Sequence, residues 1–180
     1  TMSDATTGLN SCVWSNNSGA TNNTFTCGTN LTTINWLEGR NNISVYVSDY
    51  AGNLNNTARV SFVVDTILPA INITYPLNNT NHSSATIEIN YTASDSSVGL
   101  STCWWTNNTG ITNITLTNCA NITGQTWLQG RNNISIYVND SVGNLNFSRV
   151  SFTVDTTYPV FSNYAVYPAN NTAYTLGGIK

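Results

Sequence analysis

The stretch WLEGRNNISVYVSDYAGNLNNTARVSFVVDTILP, residues 36–69, recurs as WLQGRNNISIYVNDSVGNLNFSRVSFTVDTTYP, residues 127–159. Aligned with one gap, the two copies agree at 23 of 33 positions. Residues upstream of both copies also recur, at an offset of about 91 positions. A repeat of this length defines the folding unit. Since about 90 residues make one small β-sandwich, the sequence predicts two domains.

The second copy, with the residues before it, alternates apolar and polar residues over short segments. Ile87, Ile89 and Tyr91 alternate with polar residues, turn signals follow about every 8 to 12 residues, and no helical period appears. The predicted strands are 70–75, 85–92, 100–106, 111–117, 121–127, 132–138 and 145–154. This pattern predicts an all-β fold of two tandem immunoglobulin-like antiparallel β-sandwiches, with a C-terminal extended strand segment.

The two repeats differ in what precedes the shared part. TMSD at residues 1–4 matches TASD at residues 92–95, so the first domain lacks counterparts of strands A and B. We therefore predict an incomplete domain at 1–66, a complete domain at 67–156, and an A/B-strand segment at 157–180. That segment is expected to complete the first domain of the next unit, either by strand donation from another copy or within one covalent tandem array.

Four cysteines form two matched pairs, one within each repeat. The pairs are Cys12 with Cys27 and Cys103 with Cys119. The sequence predicts one disulfide per domain and an oxidising, extracellular compartment. A metal site is the less favoured alternative, because the chain has a single histidine, His82, and no CxxC motif.

Acceptor motifs for N-linked glycans are unusually frequent. Random placement of the 30 Asn, 28 Thr and 18 Ser would give about eight Asn-x-Ser/Thr motifs. The chain has sixteen, at Asn16, Asn22, Asn30, Asn42, Asn55, Asn72, Asn78, Asn81, Asn90, Asn107, Asn113, Asn121, Asn133, Asn139, Asn146 and Asn170. Asn72, Asn90, Asn113 and Asn133 fall on the outward phase of predicted strands, although Asn146 does not, so most acceptors are expected to face outward. We therefore expect a glycoprotein, the alternative being that an Asn- and Thr-rich chain forms the motifs without glycans.

Composition excludes several functional classes. Charged residues make up 7% of the chain, and the formal net charge of −3 provides no basic patch for nucleic acid. No apolar run approaches the length of a membrane span. The eight acidic residues are scattered, mostly at repeated turn and linker positions, so we predict no catalytic residue and no enzyme.

The charged side chains are interpreted as structural. Asp49 and Asp140 are expected to stabilise turns through their own backbone, and the arginine pairs Arg40/Arg131 and Arg59/Arg149 are expected to pair with acids. We predict no metal and no cofactor apart from glycans. Calcium bound by Asp4/Asp95, Asp65 or Asp155 is the less favoured alternative. Trp104 lies on an outward phase, where glycan packing, an interface or a carbohydrate platform are the alternatives.

Three motifs occur in both repeats: Leu-x-x-Gly-x-Asn-x-Ile-x-Val, Asp-x-x-Gly-Asn and Val-Asp-Thr-x-x-Pro. With them the chain resembles the Ig-like repeats of large bacterial and archaeal surface proteins. Its low charge and dense glycan acceptors look most like an archaeal extracellular filament glycoprotein. The resemblance implies secreted, tandem, load-bearing or adhesive modules without catalysis.

The sequence thus predicts a structural subunit of a glycosylated cell-surface filament. Its expected partners are copies of itself, head to tail, with cell-surface glycans as further contacts and neither nucleic acid nor a membrane span in this segment. The alternative function is an adhesin or carbohydrate-binding Ig-like module of a secreted protein.

Overall fold

The fold is described by a computed structural model that covers residues 2–16, 19–107 and 112–162. It contains eleven strands in these residues and one short 3₁₀ turn, Thr117–Cys119. The strands are β1 Leu9–Ser15, β2 Asn23–Phe25, β3 Gly39–Asp49, β4 Leu54–Val64, β5 Ala70–Tyr75, β6 Thr80–His82, β7 Asn90–Ser94, β8 Leu100–Asn107, β9 Ile114–Leu116, β10 Gly130–Asp140 and β11 Leu145–Val154. The all-β prediction is confirmed.

The two repeats build the same antiparallel sheet. In the first module, β1–β4, the strand order is β2-β1-β3-β4. In the second module, β5–β11, the corresponding order is β9-β8-β10-β11, with β6 added at the outer edge of β11. The long hairpin β3–β4 corresponds to β10–β11, and each turns through the Asp-x-x-Gly-Asn motif, where Gly52 and Gly143 adopt positive φ.

Only the second module has a second layer in the described part of the chain. There β5 and β7 pair into a two-stranded sheet. A core lies between the layers, formed by Ile89, Tyr91, Trp105, Ile122, Trp127, Ile134, Ile136, Val150, Phe152 and Val154. Ile71 and Ile73 of β5 pack against it. This is the two-layer arrangement of an immunoglobulin-like sandwich.

Several predicted strands need correction. The predictions for 70–75 and 145–154 match β5 and β11, but 121–127 contributes only an isolated bridge between Ile122 and Ile89. The turn predicted after Pro76 leads into β6, which pairs with β11 in parallel, so the sandwich is not wholly antiparallel. Residues 163–180, which the sequence assigns to a donated segment, lie outside the described residues.

Both predicted disulfides are present. Cys12 bonds Cys27, and Cys103 bonds Cys119. Each disulfide joins β1 or β8 to the segment 15 or 16 residues later in the chain. Cys103 and Trp105 share the inner face of β8, where both are buried, as the alternation predicts. Two intradomain disulfides are typical of proteins from oxidising compartments.

Candidate functional site

The face of the first module's sheet that corresponds to the core is open. Val60 on β4 is 55% exposed, whereas its counterpart Val150 on β11 is 3% exposed. Of the fourteen buried hydrophobic residues in the described chain, Cys12 and Ile43 alone belong to the first module. No second sheet packs on β1–β4 within these residues. The first module therefore presents an apolar sheet face that its twin buries.

The open face carries the same aromatic cluster as the closed one. Trp36 contacts Trp14 and Phe62 edge to face, with ring centroids 6.0 and 5.2 Å away. Trp127 contacts Trp105 and Phe152 in the same way, at 5.5 Å each. In the second module, residues before β7 also cover the cluster: the indole N–H of Trp127 donates to the carbonyl of Ile87 at 2.7 Å.

The edge of β4 is open as well. In the second module, the parallel strand β6 covers the corresponding edge of β11. Asn78 and Asn79 hold Ser151 of β11: its N–H donates to the Asn78 side chain at 2.9 Å, and its carbonyl accepts from the Asn79 N–H at 2.6 Å. The backbone groups of β4 facing outward are unpaired with any described strand, and such an edge is a template for strand addition.

Hydrogen bonds fix the linker between the modules. The side chain of Asn144 donates to the Asp65 carbonyl at 2.9 Å. The side chain of Asn146 donates to the carbonyl of buried Pro69 at 2.8 Å. Asn144 ends the β10–β11 turn and Asn146 lies on β11, so these hydrogen bonds attach the linker to the second module.

The first module has the counterparts of these two asparagines at the edge of a groove of about 440 Å³. Asp4, Asp49, Asn53 and Asn55 are among the residues that line it. Asn53 corresponds to Asn144, and its side chain donates to Asp49 at 2.7 Å. By sequence correspondence, Asn53 and Asn55 of this groove are the counterparts of Asn144 and Asn146, which bind the linker on the second module.

Three acidic residues meet at the junction. One carboxylate oxygen from each of Asp65, Asp95 and Asp140 lies within 4.8 Å of the others. Asp65 comes from the linker after β4, Asp95 follows β7, and Asp140 ends β10. The sequence named Asp65 and Asp95 among alternative calcium ligands, but it assigned Asp140 to its turn and gave no sign that the three carboxylates meet.

Backbone hydrogen bonds hold the three carboxylates. Oδ1 of Asp95 accepts from Ser97, Val98 and Gly99, at 2.9–3.0 Å. Oδ1 of Asp140 accepts from the N–H groups of Val142, Gly143 and Asn144 in the turn, at 2.7–2.9 Å. Burial alone would raise the pKa of Asp140, but hydrogen bonds led by Asn144 outweigh burial and lower that pKa. The turn-stabilising role predicted for Asp49 and Asp140 is confirmed.

The arginines do not approach these acids in the contacts that the described residues show. Arg131 donates to the side chains of Asn133 and Asn79. Arg149 donates to Ser135 and lies over the Phe147 ring, 4.7 Å from its centroid. The prediction that Arg131 and Arg149 pair with acids is therefore wrong, because amides and hydroxyls on neighbouring strands occupy them.

Trp104 belongs to an aromatic ladder on the outer face of the second module. It stacks on Tyr137, its direct cross-strand partner, with centroids 5.5 Å apart. Tyr137 in turn contacts Phe147 on β11 at 5.5 Å. Because Trp104 and Tyr137 turn their faces to each other, the pair first of all stabilises the sheet.

The predicted glycan acceptors are mostly accessible. Asn90, Asn139 and Asn146 are half-buried, Asn170 lies outside the described residues, and the other twelve are exposed. By contrast, Asn41 and Asn132 are buried, and neither starts an acceptor motif. Among the acceptors Asn146 is compromised, since its amide nitrogen already donates to Pro69 across the junction.

No helix in the part of the chain described here is long and apolar enough to cross a membrane. A scan against protein-family models finds no match, and a search of curated proteins finds none either. Among solved structures, the chain is similar to fibronectin(III)-like modules of CbhA from Clostridium thermocellum. The TM-score is 0.45 at 15% identity, covering 91% of this chain and 88% of that one. It is also similar to the D00-D0 domain of intimin, with a TM-score of 0.37 at 14% identity, covering 83% and 88% of the two chains.

Proposed function

We propose that the protein is a structural subunit of an extracellular filament in which Ig-like modules join head to tail. The observation that carries the proposal is the difference between Val60 and Val150, which occupy the same strand position with 55% and 3% exposure. An open apolar face next to an unpaired strand edge favours the addition of strands from another polypeptide. The role is mechanical and needs no catalytic residue.

Residues 157–180 of a second copy are the proposed occupant. PANNT at residues 168–172 matches PLNNT at residues 76–80, which leads into β6 and contains the two asparagines that hold Ser151. By the same correspondence, Asn170 and Asn171 would hold Ser61 on β4. Apolar residues of the preceding segment, beginning with Val160 and Phe161, would cover the open face as Ile71 and Ile73 cover the closed one.

The linker between the two modules suggests a second contact between neighbouring copies. On the second module, Asn144 and Asn146 bind the linker that begins at Asp65. Asp155 begins the equivalent linker after the second module. Placed in the groove around Asn53 and Asn55, the linker of one copy would repeat the internal junction between copies. A contact between different surfaces of identical subunits continues as a fibre when it does not close into a ring.

The compartment follows from covalent chemistry. Two disulfides indicate an oxidising environment. Exposed glycan acceptors on both modules suit a secreted surface protein, whose hydration then depends on sugars in place of charged side chains. We propose a cell-surface location and retain the resemblance to archaeal filament glycoproteins as part of this proposal.

Electron microscopy of the purified chain tests the assembly. Wild-type protein is expected to form fibres with two beads per repeat. Val60→Asp places a charge where the neighbour's strand would bury it, so this variant is expected to remain monomeric. If subunits are linked only by strand donation, boiling in detergent will release single 19.5 kDa polypeptides from unglycosylated fibres.

Leu37→Asp is the matched control. Leu37 is 71% exposed, and its counterpart Leu128 stays 66% exposed in the complete module, so strand donation does not cover this position. The variant should form fibres like the wild type. A wild-type chain that stays monomeric, or a Val60→Asp chain that still forms fibres, contradicts the proposal.

The aromatic ladder favours a second candidate function, carbohydrate binding by the second module. Half-buried Trp104 and exposed Phe147 flank Tyr137 on one face, and aromatic rings can pack against sugars. Glycan-array binding that Trp104→Ala abolishes would support this function. Loss of stability without any glycan binding would assign the ladder to the sheet alone.

A further inference from the structure

The cluster of Asp65, Asp95 and Asp140 has more acceptor capacity than the described residues use. Asp65 is 8% exposed, and its Oδ2 atom is buried without a hydrogen-bond partner. Oδ2 of Asp95 is buried without a partner as well. Buried carboxylate oxygens are costly unless a donor or a cation satisfies them.

The cluster also lacks a compensating charge among these contacts. Three carboxylates converge within 4.8 Å. The donors to Asp95 and Asp140 are neutral amides, and Oδ1 of Asp65 accepts from the N–H of Ile67 at 3.0 Å. The carboxyl of Glu38 also lies against Asp65 and adds a further acid. Like charges at this spacing repel strongly in a partly desolvated site. A cation at the centre would turn repulsion into attraction.

We infer that Asp65, Asp95 and Asp140 form a calcium-binding site that fastens the two modules together. The available ligands are carboxylate oxygens, which hard cations prefer. Calcium takes oxygen ligands at about 2.3–2.6 Å in a flexible geometry, so three carboxylate oxygens that all lie within 4.8 Å of one another can contact a single ion. Magnesium demands near-ideal octahedral geometry and usually keeps several waters, which carboxylates from a linker and two separate loops suit less well. Zinc favours the sulfur and nitrogen ligands that this cluster does not contain.

The position of the ligands defines the role of the ion. Asp65 lies in the linker that leaves the first module, whereas Asp95 and Asp140 belong to loops of the second. An ion bound by all three restrains the linker that Asn144 and Asn146 already grip. Calcium would therefore stiffen the junction inside one chain, and this inference does not depend on assembly into filaments.

Calorimetric titration of calcium chloride into EDTA-stripped protein tests the site. We expect binding in the range of about 10⁻⁴–10⁻³ M that extracellular calcium modules show. Saturating calcium should raise the melting temperature of the second module by roughly 10–20 °C at a hundredfold excess over the dissociation constant. Magnesium chloride at equal concentration should have a much smaller effect.

Two variants separate a metal site from a purely structural cluster. Asp65→Asn should remove the calcium response and, in EDTA, melt at or above the wild-type temperature, because it relieves repulsion. Glu88→Gln removes the same charge from an exposed position and should keep the full calcium response. A wild-type chain that neither binds calcium nor changes its melting temperature overturns the inference. So does an Asp65→Asn chain that keeps the wild-type response, and neither result bears on the fibres seen by microscopy.

Discussion

The two modules share sequence, strand order and aromatic cluster, yet among the described residues only the second has a sheet packed over that cluster. Phe62 and Phe152 sit at matched positions on β4 and β11 and make the same edge-to-face contact with a tryptophan. Phe152 is fully buried, whereas Phe62 is half-buried. The difference teaches that an alternating strand pattern specifies a face meant for burial, while the covering layer must come from elsewhere in the chain or from another copy.

The largest expected difference between the modules is at this phenylalanine pair. Phe152→Ala should destabilise the second module by about 3–5 kcal/mol, because it empties a closed core. Phe62→Ala in the unassembled chain should cost the first module only about 1–2 kcal/mol, since much of the ring already faces solvent. Urea denaturation followed by tryptophan fluorescence measures both.

Assembly should remove that difference. Once residues 157–180 of a second copy cover the open face, Phe62→Ala should cost as much as Phe152→Ala. Equal costs before assembly would mean that the first module is already closed and would contradict the open face. Unequal costs within fibres would mean that the donated segment covers some other surface.

A smaller and equal effect is expected where the modules are locally identical. The side chain of Asn132 donates to the carbonyls of Leu128 and Gly130 at 2.8 and 3.1 Å. Asn41 donates to Leu37 and Gly39 at 2.7 and 3.0 Å. Alanine at either position should cost about 1–3 kcal/mol by removing a buried amide and leaving two part-buried carbonyls without their donor.

Asn42→Ala provides the control, since Asn42 is the exposed neighbour of Asn41. A surface change of this kind should shift the free energy of unfolding by less than about 0.5 kcal/mol. If Asn41→Ala and Asn42→Ala destabilise the protein equally, the buried amide is not what holds the turn before β3.

The sequence predicts local features of this fold well. Strands 70–75 and 145–154 match β5 and β11 because alternation and flanking turn residues act over a few positions. Segment 121–127 alternates too, but in the structure its Trp127 inserts into the core and donates to Ile87, which leaves only the bridge at Ile122. Tertiary packing overrode the local pattern there.

The candidate sites were harder to predict because they join distant residues. The acids of the calcium cluster come from a linker and two loops, and each looks like an ordinary turn residue in its own segment. The parallel strand β6 is three residues long and gave no periodic signal. In hindsight, Asp65, Asp95 and Asp140 occupy three different positions of the repeat, so one junction could bring them together.

The smallest expected effect is the pH dependence of one side-chain contact that carries a charge in the first module and none in the second. The carboxylate of Glu38 accepts from the N–H and hydroxyl of Thr66, both at 2.9 Å. These two bonds lower the pKa of Glu38 below its ordinary value of 4.5. We call this pair of hydrogen bonds a clasp. The second module has the same clasp without the charge, because the side-chain oxygen of Gln129 accepts from the N–H and hydroxyl of Thr156.

A lowered folded-state pKa means that the clasp of Glu38 stabilises the fold above pH 4.5 and loses that contribution as the pH falls through the folded-state pKa. The amide resonance of Thr66 in NMR spectra should therefore shift with a midpoint below 4.5, while that of Thr156 should follow only the neighbouring carboxylate of Asp155 and nothing at position 129. Glu38→Gln should abolish the shift and make the first module resemble the second. A Thr66 midpoint above the ordinary glutamate value would mean that the carboxylate is held in its protonated form and that the clasp strengthens in acid.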